Sequence, residues 1–163
     1  MGEFMKFEML ADSIKEINVK AGNIAKCAVN QLMTLRNWAI GYYIVEYEQG
    51  GSDRASYGTR LLKNLEEQIS EKGMNSTLFK WCRQFYLLYP QIGAAVSHQF
   101  GLQYFEKSAT ASHQFETKPE LLLNNLSFSH IRELLVIADD FERFFYETEC
   151  IKCNWTVREL RRQ

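Results

Sequence analysis

A mostly α-helical domain built around a helix-turn-helix is what this sequence predicts, and three observations carry the expectation. Small and apolar residues recur at alternating steps of three and four over long stretches, which is the spacing of one helical face. Breakers are scarce, with 2 prolines in 163 residues. Between Thr59 and Tyr89 a periodic stretch, a short turn containing glycine and a second, capped periodic stretch follow one another. At 46% apolar the chain can bury one sizeable core, and no apolar run approaches the ~18 residues that span a bilayer. Lys and Arg total 19 against 20 for Asp and Glu, a net charge of −1, so a uniformly basic nucleic-acid binder is excluded and any such contact has to be local.

Met1 to Phe4 precede a second start at Met5 and read as vector-derived residues. From Ile14 the periodic positions are Ile14, Ile17, Ala21, Ile24, Ala28, Leu32, Leu35, Ala39, Tyr42 and Val45, which predicts one long helix with Gly22 as the place for a kink. Either the rest of a compact domain or a second copy of the chain can cover such a stripe, and the spacing alone does not choose. Gly50-Gly51-Ser52-Asp53 ends this helix. A second helix is expected from about Thr59 to Lys72, closed by Gly73, with Leu61, Leu62, Leu65 and Ile69 on its inner face. Asn75, Ser76 and Thr77 offer cap oxygens for a third, running to about Tyr89 with Phe79, Cys82, Phe85 and Tyr86 inward.

Residues 91–118 are rich in Ser, Ala, Gln, Gly and Thr and read as an irregular excursion, a strand pair or wing. Beyond Pro119, Ser127 and Ser129 cap a helix through Ile137, Asp139-Asp140 opens another through about Lys152, and a last begins near Thr156. The closing segment, Val157 to Gln163, is amphipathic with no Gly, Asn or Pro to end it, so residues 5–163 read as a single domain cut from a longer protein.

Catalytic motifs are missing from this sequence: no Gly-rich phosphate loop, nucleophile elbow or HExxH occurs. Cys150 and Cys153 have the spacing of half a zinc site but no second close pair, and inward packing on a helix explains them more simply; no metal and no cofactor is expected. His130 suits local capping beside Ser127 better than catalysis. The four cysteines, with no signal peptide, suggest a reduced, cytoplasmic protein. What remains is the third helix, whose outer face carries Ser76, Thr77, Lys80, Trp81, Arg83 and Gln84, types that bind phosphate, read bases and stack. With Arg54, Arg60 and Lys63 on its flank, the Gly51–Pro90 stretch has a local excess of two positive charges. Double-stranded DNA is the expected partner; the competing reading is an ordinary solvated face on an interaction or dimerisation module.

Several strings then stand together: Trp38-Ala39-Ile40-Gly41, Tyr57-Gly58, Arg83-Gln84-Phe85-Tyr86-Leu87-Leu88-Tyr89-Pro90, Leu126-Ser127-Phe128-Ser129-His130, Arg143-Phe144-Phe145-Tyr146 and Trp155-Thr156-Val157-Arg158-Glu159-Leu160. Their order and spacing resemble the N-terminal domain of the YhcG family of predicted PD-(D/E)XK nucleases. That resemblance implies a winged-helix-like DNA-binding domain joined covalently to a separate C-terminal nuclease domain, which this chain lacks. It also implies that the full-length protein is a nuclease; the fragment itself, in which no residues assemble a metal-dependent hydrolytic site, is expected to cleave nothing.

Overall fold

The computed structural model describes residues 7–50, 60–101 and 115–163, and among these every regular element is helical. α1 spans Phe7–Gln49, a single helix of 43 residues that passes through Gly22 unbroken. At ~1.5 Å per residue it is about 64 Å long, far longer than the domain needs. Its two halves live in different surroundings. Every residue from Asp12 to Val29 is exposed, whereas Thr34, Leu35, Asn37, Trp38, Gly41, Ile44 and Val45 are buried.

α3 (Ser76–Leu88) packs on the buried half of α1, and α2 (Leu61–Ile69) packs chiefly on α3. α2 ends earlier than expected. Ser70, not Gly73, takes the left-handed position after the helix at φ 49°, and Gly73 turns the chain at φ 87°. Residues 70–75 thus form a connection longer than the three to four residues usual in a helix-turn-helix. α3 begins as predicted, with the Asn75 side chain accepting from the Leu78 N–H at 2.8 Å, and it buries Phe79, Cys82 and Phe85.

Helix continues past Pro90, and this corrects the expected irregular stretch. A 3-10 turn over Pro90–Ile92 leads directly into α4 (Gly93–Phe100), which ends on left-handed Gly101. Ile92, Gly93, Val96 and Ser97 are buried at helical spacing. The Ser, Ala and Gln composition there is compatible with helix, and the small residues permit close packing on α1. Residues 102–114, where a wing would lie, fall outside the described residues.

α5 (Pro119–Asn125), α6 (Phe128–Leu134), α7 (Asp140–Cys153) and the short α8 (Val157–Leu160) complete the domain. The predicted caps are in place: the Asp139 side chain accepts from Glu142 N–H at 2.7 Å, and Thr156 and Glu159 form a capping box. α6 is shorter than expected, ending at Leu134. The main core joins Leu35 and Trp38 of α1 to Phe85 and Tyr89 of α3, Ile92, Val96, Leu122, Leu126, Ile131, Leu134, Leu135, Cys150 and Leu160. A smaller cluster of Ile44, Leu61 and Phe79 holds α2. Trp38, with no exposed surface, donates its indole N–H to the Tyr89 carbonyl at 2.8 Å and meets the Tyr86 ring edge-on at 5.0 Å, locking α1 to the end of α3.

Candidate nucleic-acid interface

α3 presents its outer stripe to solvent because its inner stripe is consumed by α1. Thr77, Lys80, Arg83 and Leu87 are exposed, while Trp81, Gln84 and Leu88 are partly buried against the body of the domain. Gln84, expected on the outer face, instead donates to the Leu135 carbonyl at 2.7 Å and fastens α3 to the end of α6.

The N-terminus of α3 is already supplied with negative charge. Glu66 of α2 accepts from the Ser76 backbone N–H at 2.9 Å, and Asn75 occupies the Leu78 N–H. The Ser76 backbone N–H, followed by its side chain, holds the Glu66 carboxyl below the ordinary carboxylate range; desolvation opposes them, and nearby Lys63 adds a smaller lowering. Ser76 is therefore spent on tying α2 to α3, and the helix-end amides that attract phosphate are partly satisfied within the domain.

The expected cations differ in availability. Lys80 is exposed and has no hydrogen bond or ion pair among the described residues. Arg60 and Lys63 are exposed one turn apart at the start of α2. Arg83 donates through Nε to Glu48 of α1 at 2.7 Å, in a pair that leaves both side chains partly open to water. Arg54 lies outside the described residues. Trp81 carries a contact the sequence did not disclose: the Arg132 guanidinium of α6 sits 5.4 Å from its ring centroid. The two residues are 51 positions apart, and only the packing of α6 beside α3 brings them together. Arg132, exposed, adds a fifth described cation to this side of the molecule.

Elsewhere the candidate chemistry resolves into structure. His130 closes a capping box with Ser127: its Nδ1 accepts from the Ser127 N–H at 3.1 Å, and its Nε2 lies 3.0 Å from the Trp155 carbonyl, a contact in which Nε2–H has to be the donor. The cysteine pair divides, contrary to the expectation that both pack inward. Cys150 is buried, its thiol pushed up to about 11 chiefly by burial, but Cys153 faces solvent. Among the described residues no three His, Cys, Asp or Glu side chains gather into a metal-binding group. No helix of the described residues is long and apolar enough to cross a membrane.

Residues 13–163 match the family model described as the DUF1016 N-terminal domain. The chain belongs to that family. It is also 31% identical over 166 aligned residues to the "Putative nuclease YhcG" of Escherichia coli (strain K12), an alignment that covers 96% of this chain and 44% of the relative. It is thus a YhcG-family N-terminal domain, and it spans less than half the length of the curated relative it matches. No solved structure matches this DUF1016 N-terminal domain.

Proposed function

We propose that this domain binds duplex DNA mainly through backbone phosphates and thereby brings a nuclease domain to its substrate. The observation that carries the reading is the exposed α3 stripe, where unpaired Lys80 stands between Thr77 and Arg83 and the Trp81–Arg132 pair lies alongside. Arg60 and Lys63 extend the positive face onto α2. Arg83 contacts phosphate only by exchanging Glu48 for it, and Ser76 is engaged by Glu66, so the face suits tracking of the DNA backbone more than reading of base edges. Support for the nuclease comes from the name of the E. coli relative, more than half of which lies outside the match. On this reading cleavage belongs to that other part, and the present chain contributes binding.

The alternative reading is an association module, and it uses another surface, the free half of α1. Charge changes on α3 separate the two. Phosphate contacts release counterions, so duplex affinity should fall with salt at a logarithmic slope of roughly −0.9 per phosphate neutralised. Lys80→Ala should weaken binding irrespective of sequence and flatten the slope by about one unit. Absence of duplex binding at low salt, or identical salt series for the folded wild type and variant, would overturn the proposal.

A further inference from the structure

The free half of α1 carries an apolar seam in strict heptad register. Taking Phe7 as position a, the a positions continue through Ile14, Ala21 and Ala28, and the d positions are Leu10, Ile17, Ile24 and Gln31. The next a and d are Leu35 and Trp38, which are core residues of the domain. One seam therefore runs from solvent into the core, with the polar Gln31 as its one interruption. Its free part keeps Phe7 81%, Ile14 57%, Ile17 63% and Ile24 70% exposed. A period of 3.5 is what a partner helix reads, and helices in proteins draw most of their stability from packing such an apolar face.

We infer that the occupant of this seam is the same segment of a second copy of the chain, laid antiparallel. This rests on the association reading of α1 and is independent of DNA. The domain itself decides the direction. At Gln31 the seam is closed by α5, whose Asn124 side chain accepts from Gln31 at 2.7 Å, and beyond it Leu35 is covered by the core. A parallel partner would carry its own domain along the same side of the seam and collide with this one. An antiparallel partner fills only the free stretch, its Phe7 arriving at Gln31 where α5 begins to cover the helix.

Side-chain volumes agree with that register over its middle. Ile17 meets Ala21 of the partner subunit and Leu10 meets Ala28 of the partner subunit, large facing small, while Ile14 meets Ile24 of the partner subunit, two β-branched side chains in one layer. Two helices paired over residues 7–31 share a strip about 37 Å long, burying on the order of 800 Å² per copy, the size of a standard specific interface. Lys20 would face its own counterpart across the twofold axis, but Glu16 accepts from it at 2.5 Å and offsets the repulsion.

Sedimentation equilibrium of the whole chain should give twice the 19.1 kDa chain mass at tens of micromolar. Ile17→Glu with Ile24→Glu should give the monomer, with the urea midpoint that the wild type shows when diluted until it too is monomeric, since the core begins beyond them. Val19→Glu, on the outer side of the same helix, should leave the dimer intact. A spin label at Ser13→Cys, with Cys27 and Cys153 changed to Ser, should report copies about 20 Å apart along the axis, against about 10 Å for a parallel pair. A monomer at every concentration would remove self-association altogether. A dimer that ignores the seam variants, or one with the short label distance, would keep self-association and overturn this interface.

Discussion

Gly41 on α1 and Cys82 on α3 meet backbone to backbone: a Cβ at Gly41 would stand 2.0 Å from the Cys82 carbonyl oxygen and 2.6 Å from its carbon. This contact sets how closely the two helices cross. Because the obstructing atoms are main chain, no rotamer change relieves them, and a side chain at position 41 has to push the helices apart.

Gly41→Ala should therefore destabilise the domain despite Ala being the better helix former. The propensity gain is about 1 kcal/mol, while overpacking against backbone falls at the upper end of the ~1–3 kcal/mol range or above it. A net loss of about 2 kcal/mol is expected in urea unfolding. Gly22→Ala is the matched control, since nothing lies within 4 Å of its Cβ position, and it should stabilise the free part of α1.

Phe85→Ala should cost about 3–5 kcal/mol. Its ring has no exposed surface and lies 5.4 Å from the Tyr89 ring and 5.8 Å from that of Phe128, so truncation opens a cavity between α3 and α6. Chemical denaturation measures the loss directly, and a cost below about 1 kcal/mol would contradict this packing.

Glu48→Gln should raise duplex affinity. The substitution removes the carboxylate that holds Arg83 and one negative charge beside the proposed phosphate path, worth roughly 1 kcal/mol or about fivefold at low salt. The same change in an Arg83→Ala background should have a smaller effect. Equal gains in both backgrounds would mean that Arg83 does not reach DNA.

Glu147 sets a pH dependence whose sign follows from its burial. Its carboxylate accepts from Tyr89 Oη at 2.5 Å and Thr117 Oγ1 at 2.7 Å, with Arg143 on the same helix nearby. Desolvation nonetheless dominates and lifts its pKa above the ordinary glutamate value, the two hydrogen bonds and Arg143 acting the other way. The folded state then holds this proton more tightly than the unfolded chain. Its contribution is fully present below the unfolded pKa and is lost as pH rises through the raised folded value. The stability of wild type minus that of Glu147→Gln should fall across that window as pH increases. A flat or rising difference would refute the assignment. Glu66, Glu133 and Glu159, all lowered, work in the opposite direction in both proteins and cancel in the difference.

His130→Ala should remove both the Ser127 N–H acceptor and the tie to Trp155, costing about 1 kcal/mol by analogy with lost helix caps. Thermal unfolding of the variant checks it.

Local signals were legible in the sequence and cross-chain ones were not. The α1 stripe and the caps at Asn75, Ser127, Asp139 and Thr156 depend on residues within a turn or two of one another. α4 was missed because Gly93, Ser97 and Gln99 resemble loop composition, and only the spacing of Ile92 and Val96 hinted at a buried face. At the candidate interface, exposure of Thr77 and Lys80 followed from helical phase. The partners that change the chemistry, Glu48 for Arg83, Glu66 for Ser76 and Arg132 for Trp81, are set by helix crossings that no local pattern encodes.

The small cluster of Ile44, Leu61 and Phe79 is the buried anchorage of α2, and of that helix only Leu61 is buried, with Leu62 and Leu65 half-buried against the cluster. An element held so lightly opens without the rest of the molecule, so its amide protons should trade with deuterated solvent well before those of α3. Arg60 and Lys63 ride on this lightly anchored helix. A polyanion that grips them would slow that trade in α2 selectively, recording occupancy as a change in breathing motion with no rearrangement of the main core.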